Sequence, residues 1–233
     1  MKIQAILFDC DGTLVESEVV CAKADISILA EFGIHYASPE DFLTEFMGVA
    51  NGKIVEILNE RHGTAIPVAW FVEEYARRAV ALVPQGLGFF PETVAYIKNL
   101  AARKVKMAVV SNGKKDVVRL ELEIAGIIEC FGDNIFTVED GPNPKPAPDL
   151  YLMGAKALGV EPSQCLVVED SVPGARAGVA AGAQVLGYNG FAHDKKGVEK
   201  RLLEAGCSLV ISDLSDINTY LAEERVVQPL GLC

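Results

Sequence analysis

The sequence has no apolar run near the roughly 18 residues that would be needed to span a bilayer. It also lacks an excess of basic residues, because 21 Lys and Arg stand against 32 Asp and Glu, giving a net charge of −11. Nucleic-acid phosphates are bound by clustered Lys and Arg. We therefore expect neither a membrane nor a nucleic acid as a partner. The first predicted strand begins by residue 3, which leaves no room for a secretory signal peptide, so we expect a cytoplasmic protein.

Paired cysteine motifs are absent as well. The six cysteines lie at positions 10, 21, 130, 165, 207 and 233, and no two of them form a CxxC pair. These spacings match neither a disulfide framework nor a zinc site. Cys10 and Cys165 lie in apolar, strand-like runs, so we interpret them as buried, reduced thiols.

Short apolar segments alternate with helical ones over most of the chain. The predicted strands are 3–8, 105–110, 134–137, 165–168, 184–188 and 208–211, and the predicted helices are 91–103, 116–125, 149–158, 173–181 and 198–204. Strands that are apolar on both faces are typical of a parallel sheet covered by helices. The alternation predicts a doubly wound, Rossmann-like α/β core with a parallel sheet.

One part of the chain breaks this rhythm. It has no good strand, but it has four helical stretches at 19–32, 39–46, 52–62 and 68–82. We interpret it as an α-helical cap, residues 16–84, inserted into a core made of residues 1–15 and 85–233. Such a cap would lie over the carboxyl end of the sheet. The sequence predicts no oligomeric state, and a monomer is a plausible one.

The most informative motif follows the first predicted strand. The apolar residues 5–8 end at Asp9-Cys10-Asp11-Gly12-Thr13. Because a strand returns to the same face at every second residue, Asp9 and Asp11 can point into one space. Two carboxylates about 4 Å apart repel by roughly 4 kcal/mol at an effective dielectric constant near 20. A cation, a shared proton or a ligand must offset that repulsion, unless the motif is only a polar Asp-Gly turn.

Three further predicted strands are followed by polar groups: Ser111 and Asn112, then Lys145 in a Pro-rich loop, then Glu169 and Asp170. Each could instead have a local role, as a helix cap or a solvated surface lysine. In a doubly wound sheet, however, ligands bind at the carboxyl ends of the strands, where all of these residues would meet.

Their chemistry suits a metal and a phosphoryl group. Asp9 with Glu169 or Asp170 forms an oxygen-rich site for a hard divalent cation, and Mg²⁺ is favoured. Lys145 and the Ser111 hydroxyl would supply positive charge and a donor to phosphoryl oxygens, with Asn112 beside them. The expected partner is a small phosphorylated metabolite.

With these four motifs in order, the chain resembles the haloacid dehalogenase-like hydrolase superfamily over nearly its whole length. The helical insertion is similar to the cap of the β-phosphoglucomutase-like and phosphoglycolate phosphatase-like branch. Within the insertion, residues 17–21 and the Gly48-Val49 pair look like bacterial sugar-phosphate phosphatases.

The resemblance implies a role for each motif. Asp9 would attack phosphorus to form a phosphoaspartyl intermediate, and Asp11 would protonate the leaving alcohol and then activate water. Mg²⁺ would be held by Asp9, the backbone carbonyl of Asp11 and Asp170, with Glu169 supporting or ligating. Ser111, Asn112 and Lys145 would bind the substrate. Family precedent also implies a cis Lys145-Pro146 bond.

The chain departs from the mutase members of this branch at one position. Those proteins have a His early in the cap, where this sequence has Cys21. The three histidines, His35, His62 and His193, lie elsewhere. The sequence therefore predicts a Mg²⁺-dependent phosphatase, with a phosphosugar mutase as the alternative.

Three other functions fit the sequence less well. A dehalogenase is disfavoured, because its chemistry needs no Mg²⁺. A phosphate-accepting receiver module would normally be about half as long and have no cap. The intact Asp pair disfavours a non-catalytic phosphate-binding protein. Lys53 is a candidate contact for a distal anion of the substrate, although a solvated helix lysine is the simpler interpretation.

Overall fold

The computed structural model describes residues 3–47, 49–192 and 194–226. Gly48, His193 and Cys233, which were named above, lie outside these ranges. The strands are β1 (Ala5–Phe8), β2 (Lys106–Val110), β3 (Ile135–Phe136), β4 (Cys165–Glu169), β5 (Gln184–Tyr188) and β6 (Leu209–Ile211). The α-helices are α1 (Glu18–Glu31), α2 (Pro39–Phe46), α3 (Asn51–His62), α4 (Val68–Gly86), α5 (Pro91–Ala102), α6 (Lys115–Ile124), α7 (Asp149–Ala157), α8 (Val172–Ala180), α9 (Lys195–Glu204) and α10 (Asp216–Val226).

The strands form one parallel sheet in the order β3-β2-β1-β4-β5-β6. The order reverses between β1 and β4, whose register pairs Ala5 with Cys165 and Phe8 with Val168. In a doubly wound sheet this reversal opens a crevice at the carboxyl ends of the two strands. The predicted fold class, a doubly wound Rossmann-like α/β core, is confirmed.

Strand β1 divides its side chains between two apolar layers. Ile6 and Phe8 face one cluster, which includes buried residues of α5, α6 and α10. Ala5 and Leu7 face the other, which includes buried residues of α7, α8 and α9. This is the period-2 alternation of a strand that is covered on both faces.

Helices α1 to α4 bury a third apolar cluster, which we call the cap cluster. Its members from these helices include Ile28, Phe42, Leu58 and Phe71, each at most 2% exposed. Val117 of α6 also belongs to it, so the helical segment packs against the element that follows β2. The division into a core (1–15 and 85–233) and a cap (16–84) stays a prediction.

The chain enters and leaves this helical segment side by side. The N–H of Glu16 donates to the carbonyl of Gly88 at 2.7 Å, and the N–H of Gly88 donates back to Glu16 at 3.0 Å. The two residues form an isolated antiparallel bridge. Both connections therefore pass through one hydrogen-bonded crossing.

Two elements differ from the sequence-based expectation. Helix α4 continues past the predicted end at residue 82 and through Pro84, because Val83 is fully buried and its carbonyl still accepts from the N–H of Leu87 at 2.9 Å. Helix α10 was not predicted, although Ile217, Tyr220 and Leu221 have helical spacing and pack on the first apolar layer.

Three further expectations concern membrane-spanning helices, the cysteine thiols and one peptide bond. No helix in the described part of the chain is both long and apolar enough to cross a bilayer. Cys10 and Cys165 are buried free thiols, as predicted. The Lys145-Pro146 peptide bond is cis, also as predicted.

Candidate active site

The predicted site residues meet at the crevice between β1 and β4. Asp9 directly follows β1, and its N–H extends the strand pairing by donating to the carbonyl of Val168 at 3.0 Å. Glu169 is the last residue of β4, and Asp170 follows it. The reversal of strand order thus brings three carboxyl groups from two distant parts of the sequence to one point.

Lys145 lies between two of these carboxylates. Its Nζ is 2.5 Å from Asp9 Oδ1 and 2.6 Å from Glu169 Oε1, and it also donates to the carbonyl of Val110 at 2.7 Å. Burial lowers the pKa of Lys145, but the adjacent Asp9 and Glu169 carboxylates outweigh that effect and raise it. Lys145 is therefore a fixed, buried cation with all three of its donors used.

Glu169 is the most completely occupied carboxylate of the site. Besides Lys145, its Oε1 accepts from the Tyr151 hydroxyl at 2.8 Å. Its Oε2 accepts from the Ser171 hydroxyl at 2.9 Å and from the Ser171 N–H at 3.1 Å. Gly174 of α8 lies so close that a Cβ there would collide with the Glu169 carboxylate. Glu169 is thus held rigidly beneath the crevice.

Asp11 is oriented by two hydroxyl groups from different elements. The Ser17 hydroxyl donates to Asp11 Oδ1, and the Ser111 hydroxyl donates to Oδ2 at 3.2 Å. The N–H of Gly113 in turn donates to Ser111 Oγ at 2.8 Å. The backbone after β2 therefore orients Ser111 toward the aspartate pair.

Asn112 clamps the loop that carries Lys145. Its side-chain nitrogen donates to the Lys145 carbonyl at 3.1 Å, and its side-chain oxygen accepts from the Lys145 N–H at 2.8 Å. This paired contact fixes the loop on which the buried cation depends. Asn112 also lines the cavity described below.

The carboxylates form an acidic cluster that could hold a divalent cation. One oxygen each of Asp9, Glu169 and Asp170 lie within 4.8 Å of one another. Gly12 passes so close to Asp170 that a Cβ there would meet its carboxylate. Burial raises the pKa of Asp9 and of Asp170 well above the ordinary value, and neighbouring carboxylates raise both further. A bound cation would offset this surplus of negative charge.

A cavity of about 100 Å³ extends from this cluster toward the helical segment. Its sheet end contains the Asp pair, Ser111, Lys145 and Asp170. The opposite wall, which we call the cap end, comes from α1 to α4 and the loop before α3. It is lined by Cys21, Ala22, Asp25, Phe42, Leu43, Phe46, Met47, Val49, Asn51, Ile54 and Tyr75.

Several polar residues of the site were missed by the sequence analysis. Glu18 lines the cavity, and its pKa is raised to about 7 by burial and then by Asp11 and Glu16. Asp25 and Asn51 lie at the cap end, and Asn51 donates to Asp25 Oδ1 at 2.7 Å. Residues 17–21 had been noted as a motif, but the positions of Asp25 and Asn51 depend on how the four helices pack.

Glu121 of α6 is a fully buried carboxyl group behind Asp11. The thiols of Cys10 and Cys21 donate to its two oxygens at 3.7 and 3.8 Å. Burial raises the pKa of Glu121, and the charge of Asp11 raises it further. The Cys21 thiol is thus engaged with Glu121.

Lys53 does not line the cavity. Its side chain is 61% exposed and pairs with Glu56 at 2.9 Å on the outer face of α3. The structure therefore supports the interpretation of Lys53 as a solvated helix lysine.

The profile of the family described as "haloacid dehalogenase-like hydrolase" matches residues 3–182. The chain is 33% identical over 194 residues to 6-phosphogluconate phosphatase of Escherichia coli K12, covering 83% of this chain and 86% of that protein. It is also 33% identical over 194 residues to hexitol phosphatase A of the same organism, covering 81% and 84%. A crystal structure of a HAD family hydrolase from Deinococcus radiodurans R1, with bound phosphate and sodium, has a TM-score of 0.72 at 32% identity and covers 97% of this chain and 98% of that one.

The chain belongs to the haloacid dehalogenase-like hydrolase family. The predicted resemblance to this family and to its β-phosphoglucomutase-like and phosphoglycolate phosphatase-like branch is confirmed. At the level of class, the prediction of a phosphoric monoester hydrolase is confirmed as well.

Proposed function

We propose that this protein is a Mg²⁺-dependent phosphatase that hydrolyses a small phosphorylated metabolite, a sugar or sugar-acid phosphate, through a phosphoaspartyl intermediate. The observation that supports this most is the convergence of Asp9 and Asp170 with the buried cation Lys145 at the reversal point of the sheet. The relatives named above act, by their names, on 6-phosphogluconate and on hexitol phosphates.

Asp9, Asp170 and the backbone carbonyl of Asp11 are assigned to the metal. They fit a hard cation, because all are oxygen donors and the carboxylates carry a surplus of negative charge. Glu169 is assigned the supporting role, since Lys145, Tyr151 and Ser171 already occupy both of its oxygens. When bound, Mg²⁺ supplies positive charge against the carboxylates and the phosphoryl oxygens.

Asp9 is the nucleophile. Its Oδ1 is held by Lys145, whereas its other oxygen receives no hydrogen bond from any described residue and can attack phosphorus. The new bond joins that oxygen to phosphorus, and the bond from phosphorus to the ester oxygen breaks.

Asp11 moves the protons. It gives a proton to the departing ester oxygen, and in the second half-reaction it takes one from the water that attacks the phosphoaspartate. That attack breaks the bond between Asp9 and phosphorus and releases inorganic phosphate. The hydroxyls of Ser17 and Ser111 hold the Asp11 carboxyl in place for both transfers.

Ser111 binds and orients the phosphoryl oxygens, and the charge of Lys145 neutralises them. Lys145 is held near the Asp9 carboxylate, so its charge acts where negative charge develops on the transferring group. Asn112 keeps the Lys145 loop at that distance through its paired backbone contact. The helical segment 16–84, which we propose as a cap domain, covers the leaving group and excludes water during the first step.

Steady-state phosphate release tests this function. We expect multiple turnovers with p-nitrophenyl phosphate and with sugar phosphates, loss of activity in EDTA, and recovery when Mg²⁺ is added back. Absence of turnover with every ester at saturating Mg²⁺ would contradict the proposal, and a single stoichiometric phosphorylation would indicate a receiver module.

Product analysis separates the phosphatase from the alternative mutase. A hexose 1-phosphate should yield free phosphate and hexose. An isomerised phosphate ester as the main product would favour the mutase. The Cys21 thiol is directed at Glu121 and replaces the His of the mutases, which supports the phosphatase.

A further inference from the structure

The cap end of the cavity contains hydrogen-bonding and acidic groups but no cationic side chain among the described residues that line it. The Asp25 carboxyl group, the Asn51 amide and the Tyr75 side chain line this end together with apolar side chains. Lys145 is the single Lys or Arg among the described residues that line it, and its three donors are already used at the sheet end. A substrate group placed at the cap end would therefore meet hydrogen-bonding groups and negative charge, but no cation.

Asp25 is the central polar residue of this wall. Its side chain is buried, with 4% of the residue exposed, on helix α1. Asn51, at the start of α3, donates to its Oδ1 at 2.7 Å, whereas no described residue donates to the other oxygen. A carboxyl oxygen that faces a cavity is most stable when a ligand or water supplies its missing partner.

We propose that the cap end selects an uncharged, hydroxyl-bearing leaving group, a polyol, and that Asp25 and Asn51 contact its hydroxyls. This inference rests on the proposed phosphatase function and narrows its substrate class. A hydroxyl group can donate to Asp25 and accept from Asn51, which matches the pair. A distal carboxylate or second phosphate would be disfavoured.

The ionisation state of Asp25 does not weaken this selection. Burial raises the pKa of Asp25 to about 8, and the hydrogen bond from Asn51 acts against that rise. In its ionised form Asp25 repels an anion, and in its neutral form it offers an anion no counter-charge. A hydroxyl can bond to either form, whereas burying an unpaired anion is costly in both.

A wider cavity of about 660 Å³ adjoins the first and shares Glu18, Leu43, Met47, Asp170 and Ser171 with it. Arg201 of α9 lines this second cavity. A leaving group that extended there, rather than to the cap end, could place an anion near a cation. The experiment below therefore includes Arg201.

The deciding measurement compares kcat/KM for two esters that differ at one end. A hexitol 6-phosphate ends in CH₂OH, whereas 6-phosphogluconate ends in a carboxylate. We expect the wild-type protein to prefer the hexitol ester by at least about tenfold, as is usual when a buried polar site rejects a mismatched group. An equal or reversed preference would overturn the inference.

Two substitutions identify the residues responsible. Asp25→Leu should raise KM for the hexitol ester about tenfold more than KM for p-nitrophenyl phosphate, whose leaving group has no second hydroxyl to contact Asp25. Asn51→Lys should shift the ratio of the two esters toward 6-phosphogluconate by about tenfold. Asp41→Asn, an exposed charge removal at the start of α2, is the matched control and should change neither ratio.

Each outcome decides a separate question. Equal loss with both esters and p-nitrophenyl phosphate in Asp25→Leu would make Asp25 structural only and overturn its role in selection. If Asp25→Leu does not fold, the wild-type ratio and Asn51→Lys still decide. A preference for 6-phosphogluconate that Arg201→Ala abolishes would place the leaving group in the wider cavity and overturn the inference. Absence of turnover with every ester, p-nitrophenyl phosphate included, would instead contradict the proposed phosphatase function.

Discussion

At the sheet end of the cavity, charged side chains are fixed by several partners each, whereas at the cap end one hydrogen-bonded pair lies among apolar side chains. Lys145 has no spare hydrogen-bond donor, and Glu169 has little spare acceptor capacity. The pair between Lys145 and Asp9 is 2.5 Å long, and the hydrogen bonds to Glu169 are 2.6 to 3.1 Å long. Asp25 has one partner among the described residues. The sheet end is organised in advance for one reaction, while the cap end is left to be completed by the molecule it binds.

This contrast predicts where substitutions are tolerated. Changes at the sheet end should abolish turnover or destabilise the fold for every substrate. Changes at the cap end should alter which substrate is used. The following five experiments can break or sharpen that contrast.

The largest expected effect is that of Asp9→Asn. An amide cannot attack phosphorus, so turnover of p-nitrophenyl phosphate should fall on the order of 10³-fold or more. The circular dichroism spectrum should be unchanged, because the replacement has the same shape. Asp133→Asn, on the exposed surface before β3, serves as the control and should keep full activity. Retained turnover in Asp9→Asn would refute the assignment of the nucleophile.

Lys145→Met should affect stability as well as activity. It leaves the Asp9 and Glu169 carboxyls buried without their shared cation. Breaking a buried ion pair in this way costs about 3–5 kcal/mol, which for a chain of this size lowers Tm by roughly 6–20 °C. Lys106→Met removes an exposed lysine of β2 and should shift Tm by only a few degrees. Equal Tm values for the two variants would contradict the buried triad.

The metal-free protein should lose stability as the pH rises. The pKa of Glu18 is raised from 4.5 to about 7, chiefly by burial and then by Asp11 and Glu16. A raised carboxyl pKa means that the folded state holds the proton more tightly. The free energy of unfolding that this tighter proton binding contributes is therefore fully present below about pH 4.5. It is lost between about pH 4.5 and 7, by up to about 3 kcal/mol.

Urea unfolding in EDTA across this pH range measures the effect. Glu18→Gln should flatten the slope of unfolding free energy against pH relative to the wild type, because the titrating group is gone. Under the proposed metal assignment, adding Mg²⁺ should stabilise the wild type, because a ligand that binds only the folded state shifts the folding equilibrium toward it. An unchanged slope in Glu18→Gln would contradict the assignment to Glu18.

Two Gly→Ala substitutions, one beside the sheet end and one in helix α3, compare how much space surrounds the backbone in the two regions. In Gly174→Ala the new Cβ collides with the Glu169 carboxylate, so we expect a loss of about 1–3 kcal/mol and reduced turnover. In Gly52→Ala the nearest atom to the new Cβ is Val68 Cγ1 at 3.4 Å. That helical substitution should be neutral or stabilise by up to about 1 kcal/mol. Chemical denaturation of both variants checks the contrast, which fails if Gly52→Ala is the more damaging.

The smallest effect belongs to Lys53→Ala. Its exposed pair with Glu56 should contribute within about 0.5 kcal/mol to stability. Values of kcat/KM across a panel of phosphosugars should stay within about twofold of the wild type, as for most surface changes. A selective loss with one anionic ester would restore Lys53 as a substrate contact.

The sheet end could be predicted from the sequence because the end of a strand can be recognised from a few consecutive residues, and the fold class then fixes where that end lies. Asp9, Ser111 and Glu169 each close or follow an apolar run, and parallel strands bring their carboxyl ends to one edge. The pattern of alternating strands and helices was enough to predict this edge. The geometry around Lys145 then follows from the order of the strands.

The cap end could not be predicted in the same way. Helical spacing shows which residues share a face, but it does not show which faces of four short helices meet. Asp25 and Asn51 lie 26 positions apart and are joined only by that packing. Glu121 carried a usable signal, because it falls on the same buried stripe of α6 as Val117, Val118 and Leu122.

The crossing of Glu16 and Gly88 has a consequence for how such a molecule can change over time. A segment of some seventy residues leaves the core and returns to it at this pair of hydrogen bonds. The described residues of the segment contribute no strand to the sheet. Its length and contents can therefore be rewritten while the hydrolytic machinery below keeps its connectivity. If the segment acts as the proposed cap, new substrate preferences become reachable by changing this segment alone.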